Sequence, residues 1–203
     1  HDGLVGRRRQ LAVDLDGLVE LPLAAEKVLP FETEWFGAPK TKVQVVQLPD
    51  IGDLPFESGP LLFTPLELTD RNAIQLRMMH QLVHASFSSP RPWIEEGLAH
   101  FAQALEREQQ GGRAAALAYM QNYLPALQAA EAGEPRATPG LINSTDEVMY
   151  RVKAMYVWWM LRDMVGDVAL QQAFKKYRPL DDKDTAYMPH LIEQAAKRGL
   201  EWF

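Results

Sequence analysis

No cysteine occurs among the 203 residues, so disulfides and thiolate metal sites are excluded. Long apolar runs are missing as well. The apolar run Ala154 to Leu161 falls far short of the roughly 18 residues that a membrane helix needs, and its two tryptophans suit a buried helix. Surplus positive charge is also absent: 21 Lys and Arg stand against 27 Asp and Glu, a net charge of −6. That balance argues against a general nucleic-acid binder, and the one basic cluster, Arg7-Arg8-Arg9, reads as a solvated terminus. Internal repeats and low-complexity segments are lacking. The chain starts His1-Asp2, with neither Met nor signal-peptide regions, as a mature form or a domain cut from a longer protein would.

What is present is ordinary for a globular protein. A hydrophobic content of 47% and a charged content of 24%, over this length, suffice for one domain with a full core. The pattern predicts an α+β, mostly helical domain spanning residues 1–203, strand-rich over 1–65 and helical over 66–203. Leu11 to Leu15 is strand-like, and Val43 to Leu48 and Leu61 to Phe63 carry strand signals. Asp14-Leu15-Asp16-Gly17 reads as a turn; it resembles the start of a calcium loop, but the rest of that ligand pattern is missing. A helix over Leu21 to Leu29 should end near Pro30.

From Thr69-Asp70, a candidate N-cap, the helical spacing of Ile74, Met79, Leu82, Val83 and Phe87 predicts a buried helix. Further helices are expected from Trp93 to about Glu108, stopped by Gly111-Gly112, and from Arg113 to about Ala130, broken at Pro125. Gly133 to Gly140 is the main loop. The last helices span Asp146 to Val165, ended by Gly166, then Asp167 to Tyr177 and Pro189 to Arg198.

The chemistry concentrates at His80-Gln81-Leu82-Val83-His84. Two histidines four apart share one helix face, the geometry of the zinc-binding H-E-x-x-H helix, with Gln where the Glu would stand. Such a pair alone is often incidental. The next helix, however, opens with Trp93-Ile94-Glu95-Glu96 after a short polar loop with two prolines. A carboxylate there would complete a three-ligand site with a position left open, the mark of a catalytic rather than a structural zinc. First-turn acids favoured by the helix dipole are the simpler reading of Glu95 and Glu96 taken by themselves.

Several pieces then fall in one order. Phe36-Gly37-Ala38-Pro39-Lys40 and Val43 to Asp50 are followed by Leu54-Pro55-Phe56-Glu57-Ser58 and Pro60 to Phe63. After the histidine helix come Trp93-Ile94-Glu95-Glu96-Gly97-Leu98-Ala99 and Lys153 to Arg162. Together they resemble the catalytic core of the aminopeptidase N family, gluzincin-type zinc peptidases. Leu54 to Ser58 sits where the family has G-A-M-E-N, Trp93 to Ala99 is similar to W-L-N-E-G-F-A, and Lys153 to Arg162 to K-G-A-x-V-L-H-M-L-R.

The resemblance implies a thermolysin-like domain and Zn2+ held by His80, His84 and Glu96. It implies Glu57 as the anchor for a substrate's free amino terminus, Tyr150 as hydrogen-bond donor to the oxyanion, and Gln81 in the general-base position. A peptide is the implied substrate, and an exported or periplasmic location is favoured over a cytoplasmic one. Departures from the pattern count equally. An amide does not titrate near neutral pH, and loss of such a base costs roughly 10²–10⁴-fold in rate. Leu54 replaces the first Gly of the exopeptidase motif, Glu95 replaces the usual Asn, and the loop between His84 and Glu96 is shorter than usual. Gapless matching puts Arg151 rather than Tyr150 in the tyrosine slot, and a one-residue slip at the helix start would correct it. Tyr156 and Tyr119 are fallbacks that read more simply as packing aromatics.

Two explanations of Gln81 stand open, a deliberate replacement of Glu and a natural pseudoenzyme. The retention of His80, His84, Glu96 and Glu57 together favours recent or engineered loss. The competing class is a non-catalytic peptide- or protein-binding module on the same scaffold.

Overall fold

Helix α1 (Leu15–Phe36) runs straight through Pro22 and Pro30. The computed structural model describes residues 15–48, 54–65, 70–133 and 140–200, with side chains from residue 21 onward. The basic run Arg7–Arg9, the strand signal over 11–14 and the loop 134–139 lie outside these residues. Two expectations for this region need correction: Leu15–Gly17 is helical rather than a turn, and the helix does not stop near Pro30. A proline removes one N–H donor from the ladder and disfavours a helix interior. Here the turn beyond Pro30 buries Trp35 and Phe36, with 2% and 4% of their surface exposed. Trp35 meets Phe101 edge-on at 5.7 Å, and Phe36 stacks on Phe174 at 5.5 Å. That burial is of order several kcal/mol and outweighs a missing hydrogen bond.

Gly37, at φ 91°, turns the chain out of α1. Strands β1 (Gln44–Leu48), β2 (Phe56–Ser58) and β3 (Leu61–Pro65) form a mixed sheet of order β1-β3-β2. β1 runs parallel to β3 with Val46 opposite Phe63, and β2 is antiparallel with Glu57 opposite Leu62. A short turn at Gly59, φ 58°, joins β2 to β3. Central β3 is the most buried strand, with Leu62 and Thr64 fully covered.

The helical part follows. α2 (Arg71–Ser86) is capped by Asp70, whose side chain accepts from the Asn72 N–H at 2.9 Å. It buries Ile74, Met78, Met79, Leu82 and Val83. α3 (Pro92–Gln121) carries Pro92 in its first turn and breaks at Gly112, φ 75° and ψ 175°. The two helices expected on either side of Gly111-Gly112 are thus joined end to end. α4 is Leu124–Gly133. A π-wound segment, Val148–Lys153, leads into α5 (Ala154–Val165), which ends at Gly166 with φ 83°. α6 (Asp167–Lys176) and α7 (Tyr187–Ala196) complete the set. The architecture is mostly helical with one small mixed sheet, as expected.

Two contacts fix where α3 begins. A Cβ on Gly97 would come within 2.5 Å of Ala154 Cβ, so the Ala154 methyl group packs directly on the backbone of α3 there. Beside it Trp93 and Trp158 stack at 5.1 Å, and the Trp158 indole donates to the Trp93 carbonyl at 3.2 Å. In the loop before α3, Arg91 clamps the buried Asp182 carboxylate through Nε and Nη2 at 2.7–2.9 Å. Tyr177 donates its hydroxyl proton to the same carboxylate and also contacts Ser89 Oγ at 2.9 Å.

Candidate metal centre

α2 and α3 lie side by side, so the histidine face of one meets the first turn of the other. His80 Nε2 and His84 Nε2 are 3.3 Å apart. Glu96 brings Oε2 to 3.9 Å from His80 Nε2 and Oε1 to 3.8 Å from His84 Nε2. One donor atom from each of these three residues lies within 4.8 Å of the others, an arrangement that can hold a metal ion. For tetrahedral zinc with Zn–N near 2.05 Å, two ligand nitrogens should sit about 3.3 Å apart, and nitrogen and oxygen about 3.4 Å apart. The nitrogen pair meets that spacing, and the two Glu96 oxygens, one toward each nitrogen, stand about half an ångström wide of it.

Burial holds the His80 imidazole well below its ordinary range, aided by His100 and His84. It is therefore neutral at physiological pH, with a lone pair available as metal ligation requires.

The sequence-predicted partners gather around this trio. Glu57, on β2, is half-buried; burial pushes its carboxyl up, while His84 and the nearby Gln81 amide pull the other way. Glu95 turns Oε1 toward His84 Nδ1 at 3.9 Å, and burial raises its carboxyl too. Gln81 is 1% exposed. Its amide donates to the Phe63 carbonyl at 3.0 Å and the Phe56 carbonyl at 3.3 Å, while Oε1 is buried without a hydrogen-bond partner among the described residues. Gln81 thereby ties α2 to the sheet. Tyr150, half-buried in the π-wound segment, lies by Glu147 and in the field of Glu96. Its ring carries the Arg151 guanidinium 5.8 Å above it. The fallback tyrosines are engaged elsewhere: Tyr156 donates to the Met120 carbonyl at 2.7 Å, and Tyr119 donates to Gln103 at 3.0 Å.

Two neighbours escaped sequence reasoning. His100, one turn past Glu96, places its ring 5.1 Å from that of His80 and leaves Nδ1 buried and unpaired among the described residues. Burial lowers it to about 4. Gln103, a further turn on, contacts both histidines and is oriented by donating to the Leu76 carbonyl at 3.1 Å. Their spacing of four and seven from Glu96 marks the same helix face and could have flagged them. Arg151 brings Nε to 3.1 Å from Glu96 Oε2. A groove of about 710 Å³ between α1 and β1 shares no residue with the centre.

Neither a protein-family model nor a curated protein matches the sequence. Among solved structures the chain is similar to an M1 zinc metallopeptidase from Deinococcus radiodurans, at 20% identity and TM-score 0.66, over 88% of this chain and 41% of that one. A point variant of that peptidase bound to a Tyr-Ser-Ala substrate aligns at 21% identity and TM-score 0.61, over 84% and 41%. A two-domain M1 zinc metallopeptidase variant bound to L-arginine aligns at 22% and 0.61, over 86% and 42%. At these identities the likeness establishes the fold. The chain spans about two fifths of the length of the structures it matches.

Proposed function

We propose that this chain is the catalytic unit of a zinc metallopeptidase of aminopeptidase type, impaired in hydrolysis by Gln81. The observation that carries the reading is the convergence of His80, His84 and Glu96, at near-tetrahedral spacing, on a fold shared with M1 zinc metallopeptidases. Zinc, when bound, supplies a Lewis acid that polarises a peptide carbonyl and acidifies water.

The chain's own residues do the rest. His80 and His84 present neutral nitrogens, and Glu96 adds the one charge of the ligand set. Glu57, at the edge of the sheet, offers a carboxylate to a substrate's ammonium group, a pairing that selects peptides with a free amino terminus. Tyr150 and Arg151, neighbours of Glu96, would face the negative charge that develops on the carbonyl oxygen. Gln81 stands where a general base is needed and has no proton-accepting group to offer.

Metal content by mass spectrometry tests the first half: about one zinc per chain, lost in His84→Ala, supports it, and none after reloading overturns it. Turnover of aminoacyl fluorogenic substrates tests the second. Gln81→Glu should raise it roughly a hundredfold or more, with amino-blocked peptides left uncut. No gain in a folded, zinc-loaded protein overturns the mechanism. The engagement of the Gln81 amide with two carbonyls favours one further reading, a pseudopeptidase that binds peptides without cutting them. Peptide binding with no turnover in Gln81→Glu would select it.

A further inference from the structure

We infer that Arg151 is the anion-binding group of this centre, taking a carboxylate or a tetrahedral oxyanion of the ligand. The inference deepens the aminopeptidase reading and rests on it. The π-wound turn places Arg151 against the first turn of α3, with Nε 3.1 Å from Glu96 Oε2 and Nη1 3.4 Å from Glu147 Oε2. The contact with Glu96 is short but undirected: neither Arg151 Nε nor Glu96 Oε2 has a hydrogen-bond partner among the described residues. Charge, rather than an aligned N–H···O bond, holds Arg151 to Glu96, while Nη1 donates to Glu147 Oε2 at 3.4 Å. The Arg151 side chain is 38% exposed.

A guanidinium offers five N–H donors in a planar fork that matches the two oxygens of a carboxylate, phosphonate or gem-diolate. Here Nε and Nη1 face carboxylates of the protein, and the part-exposed guanidinium lies beside a metal ligand, Glu96. Tyr150 offers one hydroxyl, which contacts Glu147. Glu57 and Arg151, each beside Glu96, then give the site one group of each charge, suited to a ligand with an ammonium at one end and an anionic centre next to it.

Calorimetry with two small probes tests this on the zinc-loaded and the metal-free protein. The phosphonic acid analogue of leucine carries both charges, and leucinamide carries the ammonium alone. Arg151→Ala should weaken the phosphonate by tenfold or more in both metal states and leave leucinamide within threefold. Arg151→Lys should recover part of the loss. Equal losses for both probes, or no loss of the phosphonate in Arg151→Ala, would overturn the assignment while leaving the aminopeptidase reading intact. Failure of the unaltered, zinc-loaded protein to bind leucinamide would overturn that reading instead, and a phosphonate site lost with Arg151 would still support the anion site. Zinc content and thermal melting of each variant keep a loss of metal or fold from passing for either result.

Discussion

Replacing Glu32 by Gln should stabilise the protein at alkaline pH and not at acid pH. Glu32 lies on α1 with none of its surface exposed, and its Oε1 has no hydrogen-bond partner among the described residues. Burial pushes its carboxyl from 4.5 up to about 7, with Ser86 and Thr33 offsetting part of the rise. The sign follows from which form each state prefers. Below pH 4.5 folded and unfolded chains both hold the proton, and nothing is lost. Between 4.5 and about 7 the unfolded chain ionises while the folded one resists, so stability falls as pH rises. At about 1.4 kcal/mol per pH unit the full loss is about 3 kcal/mol, about three quarters of it incurred between pH 5 and pH 8. Gln keeps the shape and never ionises. Urea denaturation at both pH values reads the effect: Glu32→Gln should gain about 2–3 kcal/mol over the unaltered protein on going from pH 5 to pH 8. A difference independent of pH, or one that shrinks toward alkaline pH, would refute the argument.

Gly97→Ala sets a methyl group against Ala154 and Trp158, and overpacking of that kind should cost about 1–3 kcal/mol in chemical denaturation. Asp182→Ala leaves Arg91 and Tyr177 without their shared acceptor and should cost about 3 kcal/mol, with Asp182→Asn recovering part of it. Gln81→Glu takes both N–H donors from the carbonyls of Phe56 and Phe63. At pH 8 it should therefore destabilise the fold by about 1–3 kcal/mol, and by less at pH 5, where a protonated carboxyl still donates once. The gain in turnover and the loss in stability should appear in the same variant.

The histidine face was legible because a helix repeats in 3.6 residues, so spacing alone put His80 beside His84. The cap at Asp70 and the ends at Gly112 and Gly166 follow from equally local chemistry. The extent of α1 was not legible, because the burial of Trp35 and Phe36 that carries it past Pro30 comes from α3 and α6. Nor was the second task of Gln81, since its carbonyl partners lie 18 and 25 residues away, on strands whose pairing decides which oxygens are left facing the helix. The neighbours His100 and Gln103 were within reach of the same periodicity that found the histidine pair. Their chemistry shows only when His80 is seen to need support from behind.

The π-wound turn has an extra residue in its loop of backbone, and that surplus is reversible. Deleting one residue between Val148 and Lys153 would let the turn wind as α and change which of its residues face α3. The packing of α5 on α3 at Gly97 would be untouched. A single-codon insertion or deletion here is thus an inheritable dial: it changes which side chain of this turn is presented to Glu96 while the scaffold stays as it was.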